Sequence, residues 1–362
     1  MSALKKFLLG FAGVAVVLAL VFMTARRQIG EALFTRVAGA QVGRDNTLTL
    51  GDGLHVAICG AGSPMPDPTR AGPCVAVLAG DHYLIVDAGA GSSRNLQRMG
   101  LPPGKIDAIL LTHFHSDHID GLGEMMLNRW VGATHTEPVP VIGPEGVDQV
   151  VAGFNQAYAL DSRYRLDHHG DAIAPLSGAG GRARTYALPP AAEGNEVIVL
   201  DEGDLKVTAF RVDHAPIAPA VGYRFEYKGR TAVISGDTAA ADSLVQASRG
   251  ADLLLHEALD PDLVGILNGI GRSKGLRIIE AITHDILDYH ASPEQAAEAA
   301  RDAGVGMLVL YHIVPPLPLP ILNPAFLGDA PSIFDGPILV GEDGDLISLP
   351  AGSDAIETAD LP

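Results

Sequence analysis

Cysteine is scarce: only Cys59 and Cys74 occur among 362 residues. Two are too few for a disulfide framework, and neither is spaced with a histidine as a metal site would be. Both lie beside Gly/Pro-rich turns, so either they form one bridge in an oxidising compartment or they are two small buried thiols. Basic residues are short too, with 25 Lys and Arg against 43 Asp and Glu and a net charge of −18. Residues 1–30 hold four bases and no acid, which leaves 21 bases against 43 acids beyond them, a formal charge near −22. Proteins hold nucleic acid largely by neutralising phosphates with Lys and Arg. A surface this acidic repels it, and no nucleic-acid partner is expected. Apolar residues are plentiful, at 47% against 19% charged, which excludes disorder and allows one large domain or two ordinary ones.

Charge is absent from Phe7 to Met23, FLLGFAGVAVVLALVFM, between Lys5 and Lys6 on one side and Arg26 and Arg27 on the other. The run is longer than the ~7–15 residues of a signal-peptide core, lacks a small-residue cleavage site, and sits at the lower edge of bilayer-spanning length. A retained single-span membrane anchor is expected, with a cleaved signal as the alternative. The matched flanking bases leave its orientation open. The soluble domain is expected to be exported, periplasmic or extracellular. The expected division is 1–30 anchor or signal, 31–50 connector, 51–350 one catalytic domain and 351–362 tail. A homodimer is left open.

Short β-type apolar runs recur through the domain, among them LHVAICG, CVAVLAG, HYLIVDAG, IDAILLTH, LKVTAFRVDH, TAVISGD, ADLLLHE and GMLVLYH. Helical patterns fall between some of them. SPEQAAEAARDAG has Ser292 as cap, Pro293 in the first turn, Gln295 to complete a capping box and Gly304 as stop. PEGVDQVVAGFNQAYAL and GLGEMMLNRW also read as helices. Residues 161–195 are rich in Gly, Ala and Pro and predict a surface loop or lid, in which Asp167, His168 and His169 are solvated. Strands with interspersed helices predict a layered α/β fold.

The segment THFHSDH closes the run IDAILLT. His113 and His115 are two apart, so in extended geometry their side chains point the same way and grip one metal ion. A turn then aims Asp117 and His118 at a second. Imidazole and carboxylate without thiolate suit zinc, or manganese or iron. Other runs end in similar residues: His214, Asp237, His256 with Glu257, and His312. Sites in sheet-based α/β folds gather just beyond strand ends, so these residues converge there.

With these motifs in hand, the chain resembles the metallo-β-lactamase superfamily, whose H-x-H-x-D-H signature stands here as His113, His115, Asp117 and His118. ICGAGSPMP and LIVDAGAG look like its opening turn and first acidic motif, the latter placing Asp87 as a structural carboxylate behind the ligands. Within it, the ribonuclease Z and arylsulfatase-like branch is the nearest match, through His214 followed by VGYRF, through GDT at Gly236, Asp237 and Thr238, and through HEAL, HAS and YHIVPP. The resemblance implies an αβ/βα four-layer sandwich holding two Zn2+, with Mn2+ or Fe2+ as substitutes. His113, His115 and His214 would hold one ion and Asp117, His118 and His312 the other, with Asp237 bridging. Zinc is implied over iron because the di-iron relatives place Glu where His115 stands. The common zinc β-lactamases use a Cys ligand that is absent here.

The same resemblance makes His290 the proton donor, with Glu257 and His256 orienting it; the alternative for His290 is a polar residue just ahead of the capped helix. The expected catalytic set is Asp117, His290 and Glu257, with Asp120 behind the ligands or at a helix start. One departure bears on substrate. The tRNA-processing ribonucleases of this branch insert a Gly/Pro-rich arm between the GYR strand and GDT, where this chain has only FEYKGRTAVIS. The expectation is therefore a membrane-tethered, dinuclear-metal hydrolase that activates water against a phosphodiester, sulfate ester or other small-molecule ester. The alternatives are a ribonuclease Z-like endonuclease and a non-catalytic module stapled by metal.

Overall fold

The computed structural model describes residues 2–361, the side chains of residues 6, 9, 18 and 20 excepted. Met1, Pro362 and the side chain of Lys6, which belong to the expected N-terminal segment and tail, lie outside that description. The chain divides into two compact units, Met1–Asp45 and Asn46–Pro362.

The first unit is one helix, Ala3–Gln41. The apolar run does not stand alone as expected, because the helix continues past Met23 through Arg26, Arg27, Glu31 and Arg36. No single helix among the described residues is long and apolar enough to cross a membrane; Ala3–Val17 and Val21–Gln41, bent by 42°, reach that length and composition only as a pair. The expected membrane segment is thus not supported, and most of the expected connector is helix.

The second unit opens with β1 (Gly53–Gly60), β2 (Cys74–Ala79), β3 (His82–Val86), β4 (Ala108–Leu110), β5 (Val139–Gly143) and β6 (Gly181–Thr185). A second sheet follows from β7 (Glu196–Glu202), β8 (Leu205–Arg211), β9 (Val221–Tyr227), β10 (Arg230–Ile234), β11 (Leu253–Leu259), β12 (Met307–Val314) and β13 (Ile338–Val340). The chain then returns to the first sheet with β14 (Asp345–Pro350) and β15 (Glu357–Asp360), giving the orders β15-β14-β1-β2-β3-β4-β5-β6 and β13-β12-β11-β10-β9-β8-β7.

Alternation within the strands builds the layers. On β12, Met307, Val309 and Tyr311 join Val56, Val77 and Leu84 of the first sheet in one shared core between the sheets. Leu308, Leu310 and Ile313 face the other way, against Ala296, Ala297 and Ala300 of the helix Pro293–Ala303. The outer face of the first sheet is covered in the same manner by Leu96, Leu122, Met125 and Val151 from three helices. This is the expected αβ/βα four-layer sandwich.

The helix Pro293–Ala303 has the expected capping box: Gln295 N donates to Ser292 Oγ at 3.2 Å and Ser292 N to Gln295 Oε1 at 2.9 Å, and Gly304 ends it at φ 65°. Residues 161–195 are only in part the expected surface loop, at 170–180 and 186–195, though Asp167, His168 and His169 are exposed as expected. The helix Val147–His169 carries on through Asp161, helped by Arg165–Asp161 and Arg163–Asp167 pairs one turn apart, and stops at Gly170. Gly181–Thr185 beyond it is the edge strand β6. Nor are residues 351–362 only a tail, since β15 pairs antiparallel with β14.

Of the two readings left open for the cysteines, the bridge is the one found: Cys59 and Cys74 are joined, Cα to Cα 5.0 Å, tying the end of β1 to the start of β2. The bridge closes a loop of sequence separation 15, for which chain entropy predicts roughly 3 kcal/mol of stabilisation. Dithiothreitol, or the Cys59→Ser/Cys74→Ser pair, is expected to lower the denaturant midpoint by an amount equivalent to about 2–4 kcal/mol. An unchanged midpoint would mean that no bridge forms in solution.

Candidate metal centre

The site lies where strand ends from both sheets converge. His113 and His115 follow β4, His214 follows β8 and Asp237 follows β10. Asp117 and His118 sit in a one-turn helix, Ser116–Ile119, that begins directly after His115. His312 comes from inside β12 and needs a backbone irregularity to get there. Strict alternation would send it outward with Leu310, but the β11–β12 register slips between Glu257 and Ala258, and His312 takes φ 48°. The extra residue is a bulge that re-aims the imidazole at the site. Gly236, ahead of Asp237, has φ 63°, and a Cβ there would meet Val221 O at 2.6 Å.

Two donor groups result. His113, His115, His214 and Asp237 place one ligand atom each within 4.8 Å of one another, as do Asp117, His118 and His312. Asp237 joins the groups: its Oδ2 lies 3.7 Å from His113 Nε2, 3.9 Å from His214 Nε2 and 3.4 Å from His312 Nε2, and its Oδ1 lies 3.3 Å from His118 Nε2. His312 Nε2 is also 3.2 Å from Asp117 Oδ2.

The nitrogens turned away from the centre are held in a way that sets the tautomer. His118 Nδ1 donates to Asp87 Oδ2 at 2.8 Å, and His214 Nδ1 donates to Tyr289 O at 2.9 Å. Each leaves Nε2 to present a lone pair inward, the usual support for a metal-binding histidine. Asp87 is fixed in turn by Thr112, whose N and Oγ1 donate to it at 2.9 and 2.8 Å. His118 Nε2 and Asp237 Oδ1 are fully buried and have no hydrogen-bond partner. Orphaned buried donors and acceptors are costly, and a cation between them would satisfy both. The residues present therefore fit divalent metal.

Charge points the same way. Burial opposes ionisation of Asp237, but His118, His312 and His113 hold its carboxyl well below the usual range. Burial likewise opposes charge on His118, yet Asp237, Asp87 and Asp117 raise it well above an ordinary histidine. Burial, reinforced by His118, keeps His113 neutral. A proton on His118 thus occupies the place a cation would take, and binding would release it.

Beside the donors, His290 Nδ1 lies 3.1 Å from Glu257 Oε1. Glu257 is itself anchored by Ala291 N at 3.0 Å and Thr238 N at 3.3 Å. Burial lowers the basicity of His290, but Glu257 and Asp237 outweigh it and push its pKa up to about 9; bound cations would oppose that rise. His256 does not join the site. It neighbours Glu257 on a strand, so its side chain takes the opposite face, where Nδ1 bonds Glu257 O at 2.6 Å. Asp120 stays outside as well, exposed at the end of Ser116–Ile119, where its backbone N donates to Ser116 O at 2.7 Å.

Above the donors opens a cavity of about 860 Å3 with His115, Asp117, Asp237, His290 and His312 in its floor. One wall is Pro64, Met65 and Pro66. That loop is tied down by Asp343, which accepts from Ala61 N at 2.9 Å and Ala71 N at 2.6 Å and whose carboxyl burial pushes up to about 6. The facing wall comes from the helices Pro261–Ser273 and Arg277–Asp285 and from Tyr289. Sequence reasoning did not single out this helical pair or Tyr289. Its signal was the apolar spacing of Leu263, Leu267 and Ile270, then of Ile279, Ile282 and Ile286.

Known proteins resemble this chain in sequence and in fold. Residues 82–313 match the family model described as beta-lactamase superfamily domain. A protein named ribonuclease Z from Mycolicibacterium gilvum is 36% identical over 295 residues, covering 80% of this chain and 94% of the relative. One of the same name from Mycobacterium bovis is 36% identical and covers 80% and 96%. Among solved structures, the short form of human tRNase Z aligns with a TM-score of 0.59 at 23% identity, over 82% of this chain and 99% of that one. A metallo-β-lactamase fold protein from Bacillus subtilis gives 0.56 at 22%, over 82% and 100%.

The relatives' names overturn the expectation that no nucleic acid is involved, and they favour the ribonuclease alternative over sulfate-ester hydrolysis. The expectation failed at an identifiable step. The link between β9 and β10 is as short as the sequence suggests, a turn at Lys228 and Gly229. However, a match of 295 aligned positions that spans 80% of this 362-residue chain leaves no room for a long insertion in the relative. A protein bearing the ribonuclease name thus lacks the arm too. Net charge, in turn, says little about one local contact.

Proposed function

Because the chain belongs to the β-lactamase superfamily, in its ribonuclease Z branch, and is a metal-dependent hydrolase, we propose that it cleaves RNA phosphodiesters with two divalent cations, zinc first, in the two donor groups. The observation that carries this reading is the position of Asp237, a donor of the first group that also lies 3.3 Å from His118 and 3.4 Å from His312 of the second, in a chain aligned with ribonucleases Z over most of its length.

His113, His115 and His214 would hold one ion and Asp117, His118 and His312 the other, with Asp237 shared between them. The donor set is imidazole and carboxylate without thiolate, which suits zinc. Such a pair of ions lowers the pKa of water and offsets charge developing on the phosphoryl oxygens. The protein's own part is to hold the donors in the ligand tautomer through Asp87 and Tyr289 O, and to keep a proton on His290 through Glu257 for the leaving oxygen. The same reading sets the domain in an oxidising compartment, supported by the Cys59–Cys74 bridge.

The test uses the purified full chain loaded with zinc, a tRNA-containing transcript and an unstructured RNA. Cleavage is expected, is expected to stop on chelation, and is expected to return when zinc is restored. Hydrolysis of p-nitrophenyl sulfate by metal-loaded protein that leaves both RNAs intact would refute the reading.

A further inference from the structure

The helices Pro261–Ser273 and Arg277–Asp285 form a hairpin that stands apart from the sandwich in composition and exposure. Within it only Val264, Gly271 and Thr283 are buried. It is nonetheless a built unit: Asn268 Nδ2 donates to Glu280 O at 2.7 Å and to Thr283 Oγ1 at 2.9 Å, and a Cβ on Gly271 would press on Ile279 at 3.1 Å. Its two faces do different things. The inner one, with Ile270, Ile279 and Ile282, is a wall of the cavity whose floor is the metal centre. The turn, RSKGLR, carries Arg272, Lys274 and Arg277 within six residues and no acid, in a chain where acids outnumber bases 43 to 25. Arg272 is paired with Glu280 at 2.8 Å; Lys274 and Arg277 are exposed and have no carboxylate partner among the described residues. Lys274 lines the same cavity as Asp117 and His312.

Resting on the ribonuclease reading, we propose that this hairpin is the element that holds RNA: Lys274 and Arg277 take backbone phosphates flanking the scissile one, and the apolar inner wall with Tyr289 receives the bases of one or two unpaired nucleotides. Charge complementarity selects the partner, since a local cluster of unpaired cations beside the reacting centre is where an otherwise acidic protein attracts a polyanion. An apolar and aromatic wall suits unstacked bases, which bind by their faces with little demand for hydrogen bonds. A base-paired duplex keeps its bases stacked and offers that wall nothing. The hairpin would thus supply here the grip that other members of the branch draw from an arm.

The experiment compares zinc-loaded full-length protein with the Lys274→Glu/Arg277→Glu pair and with Ile282→Asn. Substrates are an RNA hairpin with a single-stranded 3′ extension, the same hairpin blunt-ended, and bis-p-nitrophenyl phosphate. For the charge-reversed pair, the ratio of RNA kcat/KM to bis-p-nitrophenyl phosphate kcat/KM is expected to fall at least about 10-fold. The dependence of log kcat/KM on log salt is expected to become shallower by about 0.7 for each phosphate no longer neutralised. Ile282→Asn should narrow the preference for the extended RNA over the blunt one. Every substituted side chain is exposed, so folding is retained, and metal content serves as the control. An unchanged ratio in protein that cleaves RNA overturns the hairpin assignment and leaves the ribonuclease reading standing. Loss of binding to phosphatidylglycerol vesicles by the charge-reversed pair, with the RNA ratio unchanged, assigns the hairpin to a lipid surface and also overturns it. Wild-type protein that hydrolyses bis-p-nitrophenyl phosphate but no RNA sinks the ribonuclease reading, and this inference with it.

Discussion

Asp237→Ala is expected to abolish hydrolysis, lowering the rate on bis-p-nitrophenyl phosphate and on RNA by more than about 10³-fold, beyond the cost of losing one preorganised hydrogen-bond donor. It is also expected to lose bound metal. The geometry makes this the most damaging single change in the site. Asp237 alone faces donors of both groups on two oxygens, His113, His214 and His312 through Oδ2 and His118 through Oδ1. Its removal takes away the negative charge that both groups share, leaving the first group imidazole alone and the second only the carboxylate of Asp117. Metal analysis by mass spectrometry beside the hydrolysis assay checks both halves. Asp237→Asn keeps the shape and removes only the charge, so it should lose metal nearly as fully. Substantial hydrolysis by metal-free Asp237→Ala protein would refute the two-ion reading.

Much of this centre was legible because each donor ends a strand-like run, and α/β sheets bring strand ends together. What remained hidden has physical causes. His312 was readable as a residue, but the bulge that turns it inward depends on β11 slipping one position against β12, a property of the pair and not of either strand. His256 falls outside the site by a rule that the sequence already carries: adjacent residues on a strand face opposite ways, so His256 and Glu257 could not both serve one site. The helix Val147–His169 outran its expected end because residues 161–169 contain no Gly, Ala or Pro; the breakers start only at Gly170, and the i,i+4 pairs at Arg163 and Arg165 add modest support.

Substrate was the least legible part, for a related reason. Net charge is a sum over the whole surface, while contact with a polyanion depends on a few residues near the reacting atoms. The bases of RSKGLR disappear in the total of 43 acids. Only folding brings one of them, Lys274, to the wall of the metal cavity, beside Ile270, Ile279 and Ile282 of the same hairpin. The absence of a long arm is real, but it does not by itself exclude RNA.

His290→Ala is expected to keep both metals yet slow RNA cleavage about 10²–10⁴-fold, the range of a general acid. The expectation rests on a chain of contacts: Ala291 N and Thr238 N donate to Glu257, whose Oε1 lies at ion-pair distance, 3.1 Å, from His290 Nδ1. That fixes the far edge of the ring toward the centre and keeps its proton. A competing arrangement is also geometrically open, because Asp237, His290 and His312 bring ligand atoms within 4.8 Å of one another and could hold an ion. The two roles separate on leaving group and on metal content. A donor matters when the departing oxygen is an alkoxide, as in RNA, and matters little when it is p-nitrophenolate, which leaves without a proton. His290→Ala protein should therefore hydrolyse bis-p-nitrophenyl phosphate at near wild-type rate with two ions bound, and Glu257→Gln should show the same pattern more weakly. Equal losses on both substrates, accompanied by loss of one ion, would make His290 a ligand and return the proton to another group.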